Sequence, residues 1–245
     1  MHDLGTGMEY PPFEILYEDA QLLAVNKPAG IATMGVSADK RSVISLLRHY
    51  LGRRDSGSSP CFLGVVSRLD TPVTGVLLLA KDPRTAEALN RQFRERLAFK
   101  RYWALVERAP QPPAGQWADW LRPSRRHHRV EACMPEDPEA REAITNYQLR
   151  GQVGKWFLVE LRPLTGRKHQ LRWQLALHRC PVVGDRKYGA RTPFPVGIAL
   201  HALELEILHP KENVPLRIRA PLPPVWRRLG VPEDPDQLTN PKQHP

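Results

Sequence analysis

Residues 62–80 read FLGVVSRLDTPVTGVLLLA. Phe62 to Val66 is a short apolar run, Ser67 to Pro72 is a charged turn, and Gly75 to Ala80 is apolar again. Apolar runs of this length, bounded by turn residues, predict strands. A connection this short predicts that the two strands lie antiparallel. The turn carries one carboxylate, Asp70, at the lip of the predicted core, with Arg68 two residues before it. Residues two apart in extended chain point the same way. A carboxylate held near a cation keeps its charge, as a nucleophile or base at neutral pH must. A turn aspartate that makes only local hydrogen bonds would look the same in sequence.

Upstream, Phe13 to Val25 predicts two strands around the turn Glu18-Asp19, and Asn26-Lys27-Pro28-Ala29-Gly30 breaks the second. A helix is expected over 42–51, with Val43, Leu46, Leu47 and Tyr50 on one side and Gly52 as its stop. Downstream, Asp82-Pro83 is a helix start, because Asp caps free N–H groups and Pro suits the first helical position. Ala86, Leu89, Phe93 and Leu97 continue it at helical spacing. Tyr102 to Val106 predicts another strand, and 110–123 a Pro- and Trp-containing connection. Ala143 to Leu149 and Trp156 to Leu161 pair around Gly151 and Gly154, a helix runs from about Arg167 to His178, and strands follow over 200–207 and 216–220. Strands outnumber helices and their connections are mostly short. The expected class is therefore α+β: a long mixed, mostly antiparallel sheet flanked by helices, with a cleft across it. Residues 1–12 are expected as a loose leader, 13–222 as one catalytic domain and 223–245 as a loosely held Pro-rich tail.

Composition narrows the class of function. The chain has 245 residues, 41% hydrophobic and 25% charged, ordinary globular values that exclude general disorder. Its net charge of +10 attracts an anionic partner: nucleic acid, an acidic membrane surface or a phosphorylated substrate. No apolar run reaches the roughly 18–20 residues that span a bilayer, and Met1 to Tyr10 shows no secretory signal pattern. Cys61, Cys133 and Cys180 are too far apart for a zinc or disulfide framework and read as inert thiols in a reducing cytoplasm. His127 and His128 lack a ligand partner at metal spacing, so no metal is expected.

Three further stretches carry candidate chemistry. In Gly166-Arg167-Lys168-His169-Gln170-Leu171-Arg172, cations crowd the positive end of the predicted helix, each disfavoured by roughly 0.3–1 kcal/mol. An anion must offset them: a carboxylate such as Asp70, or a bound phosphate. Lys100-Arg101-Tyr102 sets an aromatic beside basic residues, a pattern that stacks a base while cations hold phosphates, though a strand-edge core tyrosine reads the same. Arg122 to Arg129, with Arg125, Arg126 and Arg129, is a candidate track for a nucleic-acid backbone or a plain solvated loop.

Taken together these stretches resemble the RluA-type RNA pseudouridine synthases. Residues 67–75, SRLDTPVTG, resemble that family's H-R-L-D-x-x-T-S-G; residues 26–30, NKPAG, its N-K-P-x-G; and residues 100–106, KRYWALV, its K-x-Y-x-A-x-V. Gly166 to Arg172 resembles G-R-x-H-Q-[IL]-R, Gly184-Asp185 with Tyr188-Gly189 resembles G-D-x-x-Y-G, and Leu200-His201-Ala202 with His209-Pro210 resembles L-H-A…H-P. The matches run in family order over about 13–222. The departures are Ser67 for the usual His, and Val73 and Thr74 for Thr and Ser.

The resemblance implies the pseudouridine synthase fold and an isomerase that turns a specific uridine of structured rRNA or tRNA into pseudouridine without a cofactor. It implies catalytic roles for Asp70, Tyr102 and Arg167, with Arg167 paired to Asp70 and Tyr102 packed on the uracil. Arg68 would fill the gap left by a flipped uridine, and Leu171, Arg172 and His169 would line the substrate site. It implies RNA as the partner, at a loop or bulge where flipping costs least. It also implies no N-terminal RNA-binding module before residue 26 and a cytoplasmic monomer. Two rivals remain open: an RNA-binding protein on the same fold without catalysis, and a hydrolase of a phosphorylated or nucleotide substrate with Asp70 as nucleophile.

Overall fold

The structure, a computed structural model, describes residues 12–35, 41–54, 62–124 and 129–233. Its strands are β1 (Ile15–Glu18), β2 (Leu22–Lys27), β3 (Gly64–Val65), β4 (Thr74–Ala80), β5 (Phe99–Val106), β6 (Ala114–Pro123), β7 (Val130–Ala132), β8 (Arg141–Val153), β9 (Trp156–Pro163), β10 (Leu200–Leu208) and β11 (Pro215–Arg219). The helices are α1 (Val43–Arg54), α2 (Pro83–Arg94), α3 (Gln170–Leu177) and α4 (Pro224–Arg228). All the strands join one sheet in the order β1-β2-β4-β10-β5-β9-β8-β6-β7, with β11 on β10 and β3 on β4. β10 lies parallel to β4 at the sheet centre, and the other pairs are antiparallel. This is the mixed, mostly antiparallel α+β sheet expected. Among the described residues no helix is long and apolar enough to cross a membrane.

The unbroken apolar run in β4 follows from burial on both faces. Leu77 and Leu79 join one core with Leu23, Trp103, Leu171, Leu175 and Trp226, while Val76, Leu78 and Ala80 join a second with Leu22, Leu89, Leu205 and Ile218. α2 supplies Leu89 to the second core, and its start is as expected: Asp82 accepts the Thr85 N–H at 2.9 Å and Pro83 follows. Gly75 fixes the central crossover. Its φ is +115°, and an added Cβ would collide with the Ala202 carbonyl of β10. Only a residue without a side chain lets β4 and β10 approach there.

Four expectations are corrected. Residues 114–123 are a full strand, because Trp117 and Leu121 alternate inward and β8 supplies a complete antiparallel partner. α2 stops at Arg94: Arg96 takes a left-handed φ of +62°, and Leu97 is left exposed. α3 begins at Gln170 instead of Arg167, since His169 has φ +54° and cannot lie inside a right-handed helix. The chain after Pro221 is not loosely held throughout: α4 buries Trp226, and Val231 is also in the core. Arg125 and Arg126 lie outside the described residues, as do the leader over 1–11, Cys61 and the tail beyond 233. Cys133 and Cys180 are free thiols.

Candidate active site

Asp70 stands on the turn between β3 and β4, and that turn is held from three sides. The Thr33 hydroxyl donates to the Leu69 carbonyl at 2.9 Å and accepts the Leu69 N–H at 3.2 Å. The Val73 N–H closes the turn on the Asp70 carbonyl at 3.0 Å. Lys27, fully buried, donates to the carbonyls of Pro28 and Ile31 at 2.8 Å and of Thr71 at 3.3 Å, and the Gly30 N–H reaches Thr71 as well. Burial pushes the Lys27 pKa down to about 8, against the opposing pull of Asp70. The NKPAG stretch therefore clamps the Asp70 turn from behind.

From the other wall of the cleft comes Arg172, in the first turn of α3. Its guanidinium grips Asp185 with Nε and Nη2 at 2.7 and 2.9 Å and reaches Asp70 with Nη1 at 2.9 Å. The Tyr188 ring lies 5.1 Å below it. Burial opposes the cation, but the hydrogen bonds and charge of Asp185, with the charge of Asp70, outweigh it and raise the Arg172 pKa. Among the described residues the two carboxylates pair with Arg172, not with Arg167 or Lys168, the cations that were expected to need an anion.

Arg167, expected as the partner of Asp70, is not. It is exposed, and its Nε donates to the Glu142 carbonyl at 2.9 Å. The helix begins three residues late because Gln170 ties the preceding turn to β8. Its amide oxygen accepts the Arg167 N–H at 3.0 Å and the Thr165 hydroxyl at 2.8 Å, while its nitrogen reaches Ile144 and Thr145. This places Arg172 toward Asp70 and leaves Arg167 at the rim.

His169 lies between the two walls. Its Nδ1 is 2.7 Å from the Tyr188 hydroxyl, which also accepts the Val130 N–H, and its Nε2 is 3.8 Å from Asp70 Oδ2. Burial first, with Arg172, Lys187 and Lys168 adding, lowers its pKa to about 4 despite Asp70, so the ring is neutral at pH 7.

A cleft of about 320 Å³ opens on one side of Asp70, lined among others by Ser67, Arg68, Val73, Arg94, Lys100, Tyr102, Arg167, Leu171 and Leu200. A second hollow, of about 770 Å³, shares Arg68, Asp70, His169 and Arg172 and adds Met34, Lys168 and Lys187. Asp70 is the one carboxylate lining either space among the described residues. Burial first, then the charge of Asp70, raises the Tyr102 pKa, so its hydroxyl stays protonated. Arg68 is exposed on the Asp70 turn. Arg122 is not free to track an RNA backbone: it pairs with Glu131 at 3.1 Å and Asp137 at 2.5 Å. Arg129 is exposed.

Lys27, Thr33, Asp185 and Tyr188 were not among the site residues read from sequence. Asp185 and Tyr188 had a signal in the GD…YG spacing; nothing local marks Thr33. Thr74, one of the departures from the family pattern, keeps a hydroxyl 2.8 Å from His201 Nδ1, across the parallel pair.

The model of a family described as RNA pseudouridylate synthase matches residues 21–177. The chain is 34% identical over 212 residues to ribosomal large subunit pseudouridine synthase C of Rickettsia prowazekii, covering 85% of this chain and 68% of that one. It is 33% identical over 232 residues to ribosomal large subunit pseudouridine synthase D of Xanthomonas campestris, covering 89% and 68%. Among solved structures, human RNA pseudouridylate synthase domain containing 4 aligns with a TM-score of 0.72 at 28% identity, over 89% of this chain and 93% of that chain.

Proposed function

This chain belongs to the RNA pseudouridylate synthase family, isomerases that act on uridine in RNA, and we propose that Asp70 carries its reaction on an unpaired uridine of large-subunit ribosomal RNA. The observation that supports this most is a single carboxylate, held by Arg172, in a cleft whose other charged lining residues among those described are cations. The ribosomal substrate rests on the names of the bacterial relatives.

The uridine leaves its stack and enters the cleft, and Arg68 fills the place it vacates. Flipping costs a few kcal/mol, least at a loop or bulge. Asp70 then acts at the ribose. In one route its carboxylate attacks C1′; in the other it takes the C2′ proton. Both routes need the ionised carboxylate that Arg172 faces, and both release uracil from C1′ as an anion held in the cleft. The base turns and C5 bonds to C1′ as the Asp70–C1′ bond breaks or, in the other route, as the proton returns to C2′; C5 then loses its proton and N1 gains one, so no oxidant and no donated group is required. Tyr102 packs on the base as a neutral phenol. The cationic surface holds the RNA. The free thiols of Cys133 and Cys180 fit the cytoplasm.

The test incubates the purified chain with an unmodified large-subunit ribosomal RNA transcript and maps pseudouridine. Isomerisation conserves mass and frees no base, which separates it from hydrolysis. Asp70→Asn keeps the shape and removes the charge. It is expected to abolish product while RNA affinity stays within about tenfold, roughly 1.4 kcal/mol. Turnover by that variant would overturn the role of Asp70.

A further inference from the structure

Among the described residues Lys100 is a half-buried ammonium without a carboxylate partner. It stands on β5 two residues before Tyr102, so both side chains leave the same face of the strand, about 7 Å apart, and both line the cleft. Among the described residues its hydrogen bonding is confined to the Thr165 carbonyl at 3.4 Å, a long contact. The other charged residues lining the cleft are the cations Arg68, Arg94, Arg167 and Arg172 and one carboxylate, Asp70. An ammonium taken from water without a counter-charge costs stability, and burial alone depresses its pKa to about 8. On β10, Tyr102 lies opposite Ala202 and Lys100 opposite Leu205, while β4, which follows the Asp70 turn, runs parallel to β10 with its first residues Thr74 and Gly75 level with His201 and Ala202. The ammonium thus belongs to the part of the cleft beyond Tyr102, away from Asp70.

On the reading of function given above, C1′ of the uridine lies at Asp70 and the uracil ring lies on Tyr102. The ring atom opposite N1 is C4, so the O4 carbonyl points away from Asp70, toward the Lys100 end. We propose that Lys100 donates to this far carbonyl of uracil and stabilises the negative charge that the base acquires when its bond to C1′ breaks. The contact survives the turn of the base. Rotation by half a turn about the N3–C6 axis exchanges N1 with C5 and O4 with O2, so a carbonyl oxygen occupies the Lys100 corner before and after. The breaking bond leaves its electron pair on the uracil ring, delocalised onto both carbonyl oxygens, and no proton is transferred to or from Lys100. A donor at this corner also favours uracil over cytosine, whose C4 carries an amino group.

The experiment uses the full chain in single turnover at saturating RNA, on a stem-loop containing the mapped uridine, with uridine or 4-thiouridine at that position. Sulfur is the weaker acceptor. Lys100→Met should slow the saturated rate by about 100-fold with RNA affinity within threefold, and Lys100→Arg should recover at least a tenth of the wild-type rate. The thio substitution should slow the wild type but barely slow Lys100→Met further, because both remove one contact. Lys100→Gln, which keeps an N–H without charge, should fall between Arg and Met and serves if the Met variant does not fold. Independent, multiplying effects would overturn the proposal. So would weaker binding at an unchanged saturated rate, with a salt slope reduced by about 0.7–0.9, which would make Lys100 a phosphate contact. Absence of wild-type turnover would instead overturn the reading of function, and this inference with it.

Discussion

Arg172 shares one guanidinium between two carboxylates: it reaches Asp70 with a single nitrogen at 2.9 Å and holds Asp185 with the other two. Asp185 is almost fully buried, whereas Asp70 opens on the cleft. Asp185 therefore fixes the arginine, and the arginine fixes Asp70.

This division of labour predicts a separation of stability from activity. Arg172→Ala should cost about 3–5 kcal/mol, because Asp185 is left buried and unpaired. Arg172→Met with Asp185→Leu should recover much of that stability in a denaturant titration and none of the turnover. Arg172→Lys should also lose activity, since a compact ammonium cannot serve both carboxylates in a planar fork. Full turnover by the double variant would show that the grip on Asp70 is dispensable.

Gly75→Ala should destabilise the protein by at least about 3 kcal/mol, from a strained backbone and a collision with β10. The Cβ would meet Ala202 backbone atoms, which have little room to move at the sheet centre. A melting temperature equal to wild type would mean that the β4–β10 approach is looser than described.

His201 sets an acid limit. It is fully buried, and burial pushes its pKa from the ordinary 6.5 to about 4. Between those values the unfolded chain binds a proton that the folded chain refuses, so stability falls as pH falls through the interval. The contribution from His201 is roughly 2 kcal/mol between pH 7 and pH 5. Urea titrations should show His201→Gln starting lower, through loss of the Thr74 contact, and losing less over that range. Parallel losses in the two proteins would assign the acid sensitivity to other groups.

Neutralising Arg125, Arg126 and Arg129 together should flatten the slope of log affinity against log salt by up to about 2–3, at about 0.7–0.9 per phosphate contact. The saturated single-turnover rate should not change. Arg122→Gln should leave the slope nearly as it was, because Glu131 and Asp137 already neutralise that guanidinium. Equal effects of the two changes would show that the Arg122 pairs open on RNA binding.

Elements whose cause is local were legible in the sequence. The strand–turn–strand around Asp70, the Asp82-Pro83 helix start and the alternating or continuous apolar strands each rest on neighbouring residues, and the ordered motifs brought Asp70, Tyr102 and Arg68 to one region. What faces Asp70 was settled only by tertiary structure. Arg167 and Arg172 both follow Gly166 and look alike in sequence. The choice between them turns on the left-handed His169 and on Gln170, which is bonded to Ile144 and Thr145 some 25 residues away. Starting the helix three residues later rotates every following side chain, at 3.6 residues per turn, and it is Arg172 that comes to face a carboxylate 102 residues distant. The strand over 114–123 was hidden for the same reason. Its prolines and tryptophans read as connection until β8 supplies a partner, and a strand's hydrogen bonds, unlike a helix's, are completed by a segment that its own sequence does not name.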